Sequence, residues 1–538
     1  MTEIVMSQTP PILHGPSEKE RKYDRQLRLW AASGQAALES ANILLLNSGS
    51  GTVGIETLKN LVLPGIGRFA IYDDEVVDEA DLGVNFFLDE GYLGEPRSQC
   101  LTELLLELNP EVQGAWYPRV GDAITLEKLL ATSPTFTVIM YTHPIRPEYV
   151  ALLEGYGRQH KTPLVAIHSA GFYSYFRIHL PGAFPIVDTH PDETATTDLR
   201  LLSPWPELSE FAEKMTRDID NLDNHDHGHL PYVVILLHYL EKWKAAHGGA
   251  YPSTYKEKTE FRQMVQNAAR TDNPEGGEEN FEEAVAAVLK TVVPPTLPSG
   301  LREVFEYKRT DPNEHRSGFW IIADAIKEFY EKHQCLPLRG SVPDMKAQSK
   351  VYVQLQNIYK TKARQDATEV LRTAQAMAPD RHIDPAEVEL FCKNAAFVKL
   401  INATGGESNA RDRLRTVVEQ ELANDENAEA MMMPLSLVGI YLALQATSYH
   451  VDTSAINEHE IMAEVDKIFP GALNESENLA KAAQEVARAE GGELHNIAAL
   501  TGGMVAQEMI KIITKQYIPI DNTCIFDGIN SRCQVLRL

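Results

Sequence analysis

The apolar run Ile43-Leu44-Leu45-Leu46 leads almost at once into Gly49-Ser50-Gly51-Thr52-Val53-Gly54, and this pairing limits the fold more than any other stretch. Four consecutive aliphatic residues suit a strand buried on both faces. A G-x-G-x-x-G behind such a strand predicts a tight turn into a helix. Gly54, Leu58, Leu61 and Val62 fall on one face of that helix, and Pro64-Gly65 ends it. Phe69–Tyr72 follows as the next strand and closes on Asp73 and Asp74. Strand, glycine turn, helix, strand and acid make up a nucleotide-binding βαβ unit. Ser50 is expected to cap the helix, whose free N–H groups would favour a phosphate. A nucleotide site and a helix packed closely on its strand ask for the same glycines, so the motif leaves both open.

Beyond Asp74 the β–α rhythm continues. A helix is expected from about Glu95 to Leu108, with further strands at Ala115–Val120, Thr137–Tyr141, Leu164–His168 and Phe172–Leu180. Helical stretches at Leu126–Leu130 and Pro147–Gln159 separate them, which predicts an α/β, doubly wound and mainly parallel Rossmann-like sheet. Past Leu180 long amphipathic patterns take over, including Val233–His247, Lys346–Thr373, Pro385–Leu400 and Met431–Tyr449. Sheet character returns with a helix over Asn496–Gln516 and closing strands at Thr523–Asp527 and Gln534–Leu538. The expected organisation is a tail over 1–17, a sheet domain from 18–170 plus 485–538, and a large, mainly helical insertion over 171–484.

A formal net charge of −26 disfavours nucleic acid. Five scattered cysteines without a C-x-x-C argue against a disulfide framework or a thiolate zinc site, and for a reducing compartment. No stretch reads as a signal core or as a run of membrane-spanning length.

Several groups invite chemistry. Asp73 or Asp74 stands where a ribose-binding acid belongs, so an NAD-dependent enzyme is one alternative. Asp223-Asn224-His225-Asp226-His227-Gly228-His229 resembles a metal cluster, but its donors equally suit the start of the helix at Pro231, and no metal is assigned. Cys392, among Leu390, Phe391 and Phe397, reads as a core thiol. Arg25 sits in a segment too polar to be core, where a guanidinium either reaches a phosphate or pairs with Asp24.

Lys22-Tyr23-Asp24-Arg25-Gln26-Leu27-Arg28-Leu29-Trp30, the glycine unit and Leu58–Gly67 together resemble the opening of ubiquitin-like-modifier-activating enzymes. Ile497–Gly503 and Ala506–Gln516 resemble the close of their sheet domain. His190-Pro191-Asp192, Asp198–Leu201, Thr254–Lys258, Glu279–Ala284 and Leu336–Asp344 are similar to one branch, the regulatory subunits of heterodimeric neddylation-activating enzymes. The resemblance implies a ThiF/MoeB-like adenylation fold in its inactive half, with the insertion forming half of a catalytic-cysteine domain.

The same resemblance implies a reaction carried out elsewhere. A catalytic partner subunit would hold Mg-ATP, the reactive cysteine and a structural zinc, and would recruit the conjugating enzyme. It would adenylate the C-terminus of a ubiquitin-like modifier and then form a thioester. This chain departs from the active pattern Asn-Leu-x-Arg-Gln, reading Asp81-Leu82-Gly83-Val84-Asn85, and Arg97 stands for the usual lysine. The acid expected as a magnesium ligand is missing around Tyr141-Thr142-His143. Gly49, Gly51, Gly54, Asp73, Asp81 and Arg97 are therefore expected to form a degenerate pocket that holds no cofactor, with a self-sufficient adenylating enzyme as a second alternative. Arg25 matches a position that reaches across the dimer to the partner's ATP phosphate. Leu336, Pro337, Leu338, Arg339, Gly340, Pro343 and Asp344 are the expected partner contact, with no nucleic acid or membrane involved. The chain is expected in the cytoplasm and nucleus, and its end leaves no length for a ubiquitin-fold domain.

Overall fold

A computed structural model describes residues 17–119, 124–191, 198–271, 277–309, 317–401, 410–451, 456–469 and 477–538. The tail expected over 1–17 lies outside these but for Ser17, as do Val120 and Asp192.

The chain forms two units, Met1–Ile186 with Ile401–Leu538, and Val187–Leu400. In the first, strands β1 (Asn42–Leu46), β2 (Arg68–Tyr72), β3 (Gln113–Tyr117), β4 (Val138–Thr142) and β5 (Leu164–Ala170) run parallel. β6 (Tyr173–His179) turns back antiparallel on β5. Short strands β7 (Phe184–Val187) and β8 (Val398–Ile401) mark where the chain leaves the unit and returns. β9 (Thr523–Asp527) and β10 (Arg532–Leu536) extend the sheet beyond β6, giving the order β10-β9-β6-β5-β4-β1-β2-β3. Central β1 pairs Leu45 with Ile71 on one side and Met140 on the other.

Both faces are covered. Helices α1 (Glu18–Lys22) and α2 (Asp24–Ser40) precede β1, followed by α3 (Thr52–Val62), α4 (Glu79–Val84), α5 (Arg97–Leu108), α6 (Leu126–Thr132) and α7 (Pro147–His160). Ile43 and Leu45 join one core with Leu58, Leu101 and Met509, whereas Leu44 and Leu46 join another with Leu129 and Leu153. This alternation is what a doubly covered strand requires. At the β6–β9 end, Tyr175 and Ile525 pack with Tyr441, Leu444 and Leu479.

That third cluster moves the domain boundary. Residues 171–186 and 401–484 belong with the sheet unit rather than with a 171–484 insertion, because β6 is a full sheet strand and helix Val438–Thr447 covers its face. The helix expected over Pro385–Leu400 stops at Asn394, and Val398–Ile401 is strand. Helix His495–Thr514 is long and apolar enough by composition to cross a membrane, contrary to the expectation that no run is. Its Ala498, Val505, Met509 and Ile512 are buried in the sheet core, so that apolarity is already used. A Cβ on Gly502 would meet Thr57 N at 2.8 Å, the close approach that explains a glycine within this helix.

The second unit is built around Leu236, Phe261, Phe281, Leu355 and Tyr359, largely from amphipathic helices such as Tyr232–Ala246 and the 29-residue Ser349–Met377.

Candidate functional site

β1 delivers Asn47 and the glycine turn to the end of the sheet. Gly49 and Gly51 adopt φ of +62° and +63°. At Gly51 a side chain would be strained and would also run into Asn47. Gly51 is itself the N-cap of α3, and no side chain from the turn caps that helix. Ser50 therefore does not fill the role expected of it. Glu493, 440 residues away in sequence, does the work instead: its Oε2 accepts from Val53 N at 2.7 Å. Burial pushes the Glu493 carboxyl up to about 8, opposed by the N–H groups of Val53 and Gly51 and by the Arg97 charge.

The acids of the pocket are spoken for. Arg97, 4% exposed at the start of α5, donates from Nε and Nη2 to the two Asp73 oxygens at 2.8 and 3.1 Å. Its Nη1 donates to Asp81 Oδ1 at 3.0 Å. Asn47 Nδ2 donates to Asp73 Oδ2 at 2.8 Å. Burial opposes the Arg97 charge, but the two carboxylates outweigh it and raise its pKa. Asp81 is shifted upward by burial against the pull of Arg97. Asp81 also forms a capping box with Asp78 at the head of α4. Asp74 is exposed, with Arg146 at 4.0 Å.

The structure thus links the residues of the expected pocket around β1 and β2: Asn47 lies against Gly51 and Gly54 and bonds Asp73, Arg97 joins Asp73 to Asp81, and Gly49, in the same turn, lies beside Pro144. The groups that would meet a triphosphate already have partners in this arrangement. The N–H it would use already meets a carboxyl, and the only cation of the Asp73–Arg97–Asp81 cluster is matched by two acids. At the end of β4, where a magnesium ligand is expected in an active half, stands buried His143, its Nδ1 3.0 Å from Ser448 O. Burial lowers its pKa to about 4. Asn47 Oδ1 and Thr52 Oγ1 are buried without a hydrogen-bond partner among the described residues.

A pH effect follows from Glu493. Its folded pKa of about 8 lies above the ordinary carboxyl value of 4.5, so the folded chain keeps a proton that the unfolded chain has lost. That contribution is fully present below pH 4.5 and fades as pH rises through about 8. Glu493→Gln should flatten this fall, which amounts to about 3–5 kcal/mol across the window. Denaturant unfolding of both proteins at pH 5 to 9 checks it; parallel curves would refute it. Arg97 and Asp81 are the charged groups facing Glu493, and His495 on the following helix faces Glu56 at 3.4 Å instead.

Arg25 lies elsewhere, exposed in the first turn of α2, with no hydrogen-bond or ion-pair partner among the described residues. Asp24 pairs with Arg28 at 3.0 Å, so the local alternative for Arg25 is not realised. The 336–344 stretch is largely tied down. Leu338 N donates to Asp366 Oδ2 at 3.0 Å, the Arg200 guanidinium bonds Leu336 O, and the Arg339 guanidinium lies 5.3 Å from the Phe397 ring centre. Pro337 and Gly340 are buried, Pro343 O accepts from Tyr352 at 3.3 Å, and Asp344 remains exposed. Asp223 caps its own short helix Asn224–His227, not the one after Pro231. His227 turns inward to Glu278 at 2.7 Å, while Asp223, His225 and Asp226 stay exposed.

The ThiF family model matches residues 23–538. NEDD8-activating enzyme E1 regulatory subunits are similar over almost the whole chain. The Xenopus laevis protein is 36% identical, covering 95% of this chain and 97% of its own length. The Gallus gallus protein is 35% identical over 97% and 99%. The Arabidopsis thaliana subunit AXR1 is 32% identical over 97% of each. A sheet with a glycine turn whose phosphate-side groups are internally neutralised, and full-length similarity of this order, lead to one placement: the chain belongs to the ThiF family, among the NEDD8-activating enzyme E1 regulatory subunits.

Proposed function

We propose that this chain is the non-catalytic half of a heterodimeric NEDD8-activating enzyme and holds no nucleotide of its own. The observation that carries this is the buried cluster in which Arg97 is shared by Asp73 and Asp81 while Glu493 meets the N-terminus of α3. Mg-ATP, the structural zinc and the reactive cysteine belong on a catalytic partner. Four of the five cysteines here are buried, and burial pushes the thiols of Cys392 and Cys524 up to about 12, far from nucleophilic. Exposed Arg25 supplies charge in trans to the partner's ATP phosphate, and exposed Asp344 marks the end of the 336–344 loop open to a partner. The modifier and the conjugating enzyme are engaged through the pair, in the cytoplasm and nucleus.

Of the two acids that an NAD enzyme could use for the ribose, Asp73 is bound to Arg97 and Asn47, which leaves only exposed Asp74 for that reading. Titration of the purified chain with Mg-ATP and with NAD should show no saturable binding of either. Co-purification from cells should recover a partner carrying zinc-type cysteines and a reactive thiol. Tight Mg-ATP binding by the lone chain would overturn the proposal.

A further inference from the structure

Glu493 is placed with more care than a helix cap alone needs. Gly171 N donates to Gly492 O at 2.9 Å, and Gly171 and Glu493 form an isolated parallel bridge. The backbone at the head of the last helix is thereby fixed to the end of β5. From there the Glu493 side chain, in a residue only 4% exposed, reaches Val53 N. Backbone N–H groups at the head of α3 are the donors a phosphoryl oxygen would use in a glycine turn of this kind. An oxygen 2.7 Å from Val53 N leaves no room for a second acceptor there.

We propose that the Glu493 carboxyl is the standing occupant of the phosphate-binding turn, a plug supplied by the chain itself. Together with Asp81 on Arg97, it shuts the pocket to phosphoryl groups. This deepens the reading that this half holds no nucleotide, and rests on it. The two closures are separate. Glu493 takes up the neutral donors of the turn, and Asp81 is a second carboxylate matching the charge of a guanidinium that already donates twice to Asp73. Asn47 Oδ1 and Thr52 Oγ1, buried with no hydrogen-bond partner among the described residues, are polar atoms of a pocket built for something other than apolar packing.

Opening the pocket therefore takes two changes, Glu493→Ala to free the turn and Asp81→Asn to release Arg97. Glu493→Gln is the control, since a carboxamide keeps an acceptor oxygen at the same reach. Pyrophosphate is the probe, followed on the full chain by phosphorus NMR line broadening and by the shift in melting temperature. E493A/D81N should bind pyrophosphate at least ~10-fold more tightly than E493Q/D81N, a difference of about 1.4 kcal/mol. Wild type should bind it no better than the control. Equal binding by the two double variants overturns the plug. Should E493A/D81N fail to fold, amide hydrogen exchange of wild type decides. The Val53 amide should be protected without any anion and unmoved by pyrophosphate, and protection that appears only with pyrophosphate overturns the plug. Mg-ATP binding by wild type would sink the non-catalytic reading as well, whereas equality of the variants sinks the plug alone.

Discussion

Replacing Arg25 by alanine is expected to slow ATP–pyrophosphate exchange of the reconstituted heterodimer by about 10²- to 10³-fold, with the pair still assembled. On the proposed role, the magnitude is that of removing a cation that meets charge developing on the ATP phosphates as the adenylyl group is transferred. The mounting of Arg25 supports that role. Tyr23, buried at 2% exposure, accepts from Asn109 Nδ2 at 3.0 Å and donates to Glu111 at 3.1 Å. Trp30 is buried, and its carbonyl accepts from Gln516 at 3.0 Å. Arg25 lies between these two anchored residues, the second at the break in α2 at Trp30–Ala31, and its guanidinium has no described partner. An anchored backbone removes its own share of the ordering cost, and the free side chain still loses about 0.5–1.5 kcal/mol of rotamer entropy on engagement. Arg25→Lys keeps the charge but not the planar fork, so an intermediate rate is expected. An unchanged exchange rate for Arg25→Ala in a correctly assembled pair would remove Arg25 from the adenylation step.

The largest stability effect is expected at Arg97. Arg97→Met strips the cation from two buried carboxylates, Asp73 at 2% exposure and Asp81 at 3%. Leaving such charges unmatched costs about 3–5 kcal/mol. Asp81→Asn should cost less, because Arg97 keeps both of its bonds to Asp73. Asp73→Asn should fall between them, since a carboxamide keeps one acceptor oxygen and at least one of the three donors now facing Asp73 loses its partner. The midpoint of the denaturant transition that unfolds the sheet unit measures the series. A neutral Arg97→Met, or Asp81→Asn as the worst of the three, would show that this cluster does not hold the pocket together.

Much of this was legible in the chain. Strand β9 matches its expected bounds, and β1, β2 and β4 lie within a residue of theirs, because strands buried on both faces are short aliphatic runs between turns. Asp81 and Arg97 stood out as departures from the active pattern, but their mutual pairing did not, since it depends on how α4 and α5 meet. Glu493 gave no local signal: it lies in a Gly-Gly-Glu-Leu joint with nothing to mark it as a cap for a helix near the other end. Ser50 carried the familiar capping chemistry and was outcompeted by a residue that only the closed fold brings near. The boundary at 171 misplaced β6 because alternating polarity says a strand exists but not which sheet accepts it.

The partnership of Val53 with Glu493, and of β6 with β9, has a consequence for how the protein is made. A ribosome delivers Val53 long before Glu493, and β6 long before the strand that covers its edge. Through most of translation the emerging sheet carries an open hydrogen-bonding edge and a bare helix start, both prone to stray association. Even a short premature stop would therefore leave the earliest segments unfinished, and such fragments should depend on chaperones or be degraded.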